Sequence, residues 1–121
     1  MKTTSKSSSL VSRSARKTAA PAYKNAKLTP ERRTRDLLSR MTLQEKAAQM
    51  VCIWKEKADT LVDVDGRFDQ AKARAAFKKG YGLGQVGRPS DARAGLDARQ
   101  SAELTTATQR FFTHESRLGI P

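Results

Sequence analysis

The chain has 121 residues, room for one small domain, and carries 24 Lys/Arg against 12 Asp/Glu, a formal net charge of +12. Its one cysteine excludes an internal disulfide, and no stretch is long and apolar enough to span a bilayer. The charge is uneven: residues 1–27 hold seven Lys/Arg and no acidic residue, so the remainder carries only +5.

Within residues 1–27 the largest side chains are Leu10, Val11 and Tyr23, set among Ser, Thr and Ala. Such a segment buries too little apolar area to offset its ordering entropy, which predicts a disordered basic leader. Arg13, Arg16 and Lys17 interrupt the apolar run that a secretory signal needs. The Ser-rich, acid-free composition also has a faint likeness to an organelle transit peptide.

Order is expected from Leu28. In "LTPERRTRDLLSRM", Thr29 caps a helix, Pro30 suits its first turn and Glu31 complements the dipole. A second helix starts at once, with Thr42 and Glu45 spaced as a capping box. Leu43, Ala47, Met50, Val51 and Trp54 fall on one helical face, which predicts a helix through "TLQEKAAQMVCIW". Cys52 lies inside that apolar run and is expected to be a buried, inert thiol.

Asp65-Gly66 marks a turn, with a short extended piece around residues 61–64. Asp59, Asp63 and Asp65 do not make a calcium loop, because Lys and Arg stand where a bidentate glutamate is needed. Asp69 caps the helix "QAKARAAFKK", which stops at Gly80. In "GYGLGQVGRPSD" the glycines follow a helix and precede Pro89, the reverse of a phosphate-binding turn. A short buried strand is the better reading. Asp97 and Gln100 then form a second capping box, opening a helix of about five turns with Leu104, Ala107, Thr108, Phe111 and Phe112 on one face. His114, near the end of that helix, reads as a favourable dipole partner rather than a catalytic group. The order of elements predicts an α/β fold with parallel strands and crossover connections, mostly helical in this chain.

"RTRDLLSRMTLQEKAAQM" resembles the opening signature of family 3 glycoside hydrolases. The matching positions are Arg33, Asp36, Leu37, Leu38, Arg40, Met41, Thr42, Leu43, Glu45, Lys46, Gln49 and Met50. "GLGQVGRPSD" resembles the first barrel strand and its loop in that family, and "TQRFFTHESRLGIP" the helix leading into a second strand. The resemblance covers nearly all of residues 23–121. It implies the incomplete start of a (β/α)8 TIM barrel over residues 28–121, truncated before the chemistry. It also implies retaining hydrolysis of β-linked glucosides or xylosides from their non-reducing ends by the complete enzyme. The residues themselves lead to no expectation of a metal or cofactor. Family members are often periplasmic or secreted.

The resemblance carries over no catalytic residue. Its nucleophilic aspartate lies late in the barrel in a Ser-Asp-Trp-like motif, whereas Ser90-Asp91 here is followed by Ala92. Its acid/base glutamate comes from a second domain. Arg88, in the loop after a barrel strand, is the candidate substrate-binding residue, with bracing of that loop alongside Asp91 as the structural alternative. The chain alone is therefore expected to be inactive. A reading from a different class is a small basic helical module that binds nucleic acid through its tail and Lys/Arg surface. The mixing of the remaining Lys/Arg with Asp/Glu, and the lack of a stacking strip, disfavour it.

Overall fold

The computed structural model describes residues 20–91 and 95–120. The expected leader over residues 1–27 falls mostly outside them. The chain divides into two compact units, residues 1–36 and 37–121, with the division inside the first helix, and each is taken by itself.

In the first unit a 3-10 turn at Ala22–Lys24 precedes helix α1, Pro30–Arg40. Structure thus starts ahead of Leu28, because side chains within the unit hold Tyr23. The Asp36 carboxylate accepts from Tyr23 N at 3.0 Å, and Arg33 Nε donates to the Tyr23 carbonyl at 3.0 Å. Tyr23 is buried. Thr29 Oγ1 accepts from Arg32 N at 3.4 Å, the cap expected at the start of α1.

The second unit opens with α2, Leu43–Ala48, whose capping box is complete. Glu45 N donates to Thr42 Oγ1 at 3.2 Å, and the Glu45 carboxylate accepts from Thr42 N at 2.8 Å. The helix then stops. The expected continuation to Trp54 is wrong: residues 52–53 form strand β1, Cys52–Ile53. Leu43 is 77% exposed and Met50 88%, so the supposed apolar face does not face the core. Pairing explains the break. Backbone donors of Gly84 and Gln85 bond to the carbonyls of Ala48 and Val51 at 3.0 and 3.1 Å, which draws the chain out of its helix.

Strand β2, Gln85–Val86, lies in the glycine run where a buried strand is expected, but it is not buried. Gln85 is exposed and Val86 half-buried, since among the described residues only one strand pairs with it. It pairs in parallel with β1, Cys52 opposite Gln85 and Ile53 opposite Val86. Parallel partners need a long crossover, and here it contains α3, Lys57–Thr60, and α4, Gln70–Ala76. Asp69 caps α4 by accepting from Ala71 N and Lys72 N, and Gly80 (φ 66°) ends the segment in the left-handed conformation. Between α3 and α4 a bridge joins Val62 to Phe68 around the Asp65-Gly66 turn. There Asp63 accepts from the backbone N–H groups of Asp65 and Arg67, both at 2.9 Å.

Helix α5, Ala98–Glu115, begins with the Asp97–Gln100 capping box and buries Leu104, Thr108, Phe111 and Phe112. The core joins these to Leu61, Val62, Ala73 and Leu83. Phe112 meets Phe77 edge-on at 4.9 Å between centroids and Phe111 at 5.1 Å, and Phe68 lies 5.7 Å from Phe111. No helix among the described residues is long and apolar enough to cross a membrane.

Candidate functional site

In a parallel sheet the chain leaves each strand at the same end, so the residues just after β1 and β2 come together. Those residues are Trp54, after Ile53, and Gly87-Arg88, after Val86. Gly87 N donates to the Ile53 carbonyl at 2.8 Å and extends the pairing to this edge.

Two side chains of the following turn fix the backbone there. Lys57, the first residue of α3, is 2% exposed. Its Nζ donates to the carbonyls of Trp54 at 2.7 Å and Gly87 at 2.6 Å. Burial pushes the Lys57 ammonium below its ordinary pKa, and the nearby carboxylates of Asp91 and Glu56 oppose that shift. The Glu56 carboxylate accepts from Trp54 N at 3.0 Å.

Among the described residues Arg88 is the non-glycine residue with positive φ, 44°, a conformation disfavoured for a side chain with a Cβ. Its guanidinium lies 4.8 Å from the centroid of the Trp54 ring, in cation–π contact, and 3.5 Å from the Asp91 carboxylate. Trp54 Nε1 donates to Asp91 Oδ2 at 3.4 Å. Asp91 closes a 3-10 turn, Pro89–Asp91, with its N–H on the Arg88 carbonyl at 3.0 Å. Arg88 therefore joins a three-membered exposed group, and the ion pair also braces its loop.

Sequence reasoning placed Arg88 in this loop but missed Trp54 and Lys57. The helical period places Trp54 on a helix face, and Lys57 is one of many lysines until the fold buries it. The available signal was the run Val51-Cys52-Ile53-Trp54, β-branched and aromatic, after a short capped helix. Cys52, expected to be buried, is exposed, because the two-stranded sheet leaves its side chain uncovered. His114 is exposed at the end of α5, with Nδ1 2.7 Å from the Arg110 carbonyl. Asp63 serves its own turn and Asp65 pairs with Arg67 at 3.6 Å. Among the described residues no group of three or more His, Cys, Asp or Glu is placed to hold a metal ion.

No family model matches the chain. Over 106 residues, 88% of its length, the chain is 35% identical to Beta-glucosidase C of Emericella nidulans. The matched stretch spans 16% of that protein.

Proposed function

We propose that this chain corresponds to the opening part of the barrel domain of a family 3 glycoside hydrolase, an exo-acting retaining enzyme that cleaves β-linked glucosides. The observation that carries the reading is the 35% identity to a beta-glucosidase over 88% of the chain. Support also comes from the parallel β1–β2 pair, its helical crossover, and α5 following β2, an order that suits the start of a (β/α)8 barrel. On this reading Arg88, at the strand ends where such barrels place their sites, contributes to substrate binding in the complete enzyme.

Retaining hydrolysis uses two carboxyl groups about 5–5.5 Å apart, one attacking the anomeric carbon and one protonating the leaving oxygen. The resemblance assigns neither to a residue of this chain, so the chain by itself does not cleave glycosides. Purified to remove host enzymes, it is expected to leave an aryl β-glucoside intact, and measurable turnover overturns that statement. The lineage is tested by a chimaera in which this chain replaces the matched segment of Beta-glucosidase C. A folded chimaera that hydrolyses the aryl glucoside is expected, and a folded but inactive one sinks the reading.

A further inference from the structure

Val51 leads into β1 and Leu83-Gly84 into β2. Because the strands are parallel, these lead-ins meet at the end of the pair opposite Arg88. A cavity of about 290 Å³ opens there, lined by Val51, Phe77, Tyr81 and Leu83 among others. Leu83 is buried and Phe77 packs edge-on against Phe112, so that part of the lining is anchored in the core. Val51 is 49% exposed and Tyr81 36%, which leaves apolar area that an occupant would bury.

The polar side chains of the lining are Lys78, Lys79 and Tyr81. Both lysines are exposed, and among the described residues neither has an ion-pair partner. The Glu115 carboxylate that reaches α4 is bound by Arg74 at 2.8 Å. The Tyr81 hydroxyl also has no hydrogen-bond partner among the described residues. Two ammonium groups on flexible stems and one hydroxyl donor, set around an apolar recess, complement an anion that carries an apolar tail. An apolar cavity of about 150 Å³ takes benzene, so the larger one here has room for about ten non-hydrogen atoms, the size of octanoate. We propose that this cavity binds a medium-chain carboxylate, its alkyl tail against Val51, Phe77 and Leu83 and its head group on Lys78, Lys79 and Tyr81. The mouth is open to water, so the expected Kd is on the order of millimolar.

The test is a titration of the full 121-residue chain with octanoate below its micelle-forming concentration, followed by the chemical shifts of the backbone amides. The shifts are expected to saturate along one isotherm and to cluster at Val51, Lys79, Tyr81 and Leu83. No saturation, or shifts confined to other residues, overturns the site. Octylammonium keeps the tail and reverses the charge, and acetate keeps the head group without the tail. Neither is expected to saturate in the same range, and equal affinity for either one overturns the assigned chemistry. The double variant K78Q/K79Q alters exposed side chains and should raise the octanoate Kd about fivefold at unchanged circular dichroism. K24Q/K27Q, which removes two exposed lysines of the first unit, should leave that Kd unchanged. An unaltered Kd in K78Q/K79Q, or an equal rise in K24Q/K27Q, overturns the role of the rim.

Discussion

Arg117 reaches 72 residues back along the chain to Glu45, donating from Nε at 2.7 Å and from the terminal guanidinium nitrogen at 2.6 Å. The same terminal nitrogen also bonds to the Arg40 carbonyl at 2.8 Å, so one side chain ties the exit from α5 to the start of α2. Glu45 is 2% exposed and already spends acceptor capacity on the Thr42 cap. Removing Arg117 strands a buried carboxylate, a loss of about 3–5 kcal/mol for a fully buried pair. The Arg117 side chain is 53% exposed, so R117M is expected to lose about 2 kcal/mol, and E45Q, which keeps the cap acceptor, about 1 kcal/mol. Urea unfolding of the two single variants and the double variant should return a coupling energy of about 1 kcal/mol. Additive losses would show that the pair is not coupled.

The same contact sets a pH dependence. Hydrogen bonds from Arg117 lower the Glu45 carboxyl from 4.5 to about 2, with the Thr42 N–H and hydroxyl assisting and burial opposing. The unfolded chain takes up this proton first, near 4.5, so the contribution is fully present above that value. It is lost as pH falls through the window down to about 2. Discounted for the exposure of Arg117, the loss amounts to about 1–2 kcal/mol. The urea midpoint should therefore fall across that window, and E45Q should flatten the slope there. An unchanged slope in E45Q would assign the acid sensitivity to other carboxylates.

Close backbone approach is the next test. A Cβ built on Gly84 would stand 2.0 Å from the Gln49 carbonyl oxygen, backbone that cannot swing aside like a side chain. G84A is expected to push β2 from the end of α2 and to cost about 2–3 kcal/mol, at the upper end of overpacking losses. At Gly87 the nearest atom to a new Cβ is Trp54 Cβ at 3.4 Å, an ordinary contact, so G87A should cost under about 1 kcal/mol. Thermal melts of the two variants decide the matter, and equal losses would contradict the close approach at Gly84.

What the sequence made legible was whatever a few neighbouring residues decide. Both capping boxes and the Asp69 cap follow from groups two or three positions apart, and each is present, whereas the helix expected to run to Gly80 ends at Ala76 and Gly80 closes the turn after it. The end of α2 was hidden, because Leu43, Ala47, Met50, Val51 and Trp54 keep a helical period. The choice of strand over helix at Cys52 belongs to a partner at Gln85, a tertiary preference that local periodicity does not contain. The site was half legible for the same reason. Arg88 stands beside a recognisable Arg-Pro-Ser-Asp turn, but only the parallel pairing brings Trp54 beneath its guanidinium and buries Lys57 between the two strand ends.

Thr108 carries the last prediction. It lies on the buried face of α5, beside a cavity of about 170 Å³ that Leu83, Val86 and Phe112 also line. Its Oγ1 is buried with no hydrogen-bond partner among the described residues, whereas the hydroxyls of Thr105 and Thr113 on the same helix bond to the carbonyls of Ser101 and Gln109 at 2.8 and 2.9 Å. An unsatisfied buried hydroxyl costs about 1–3 kcal/mol in lost solvation. Valine keeps the branched shape and removes the polar atom, so T108V is expected to raise stability by about 1 kcal/mol. T108S retains the hydroxyl and deletes a methyl, and should lose about 1 kcal/mol. Chemical denaturation of the pair gives a sign test, because a destabilised T108V would mean that the hydroxyl has a partner in solution.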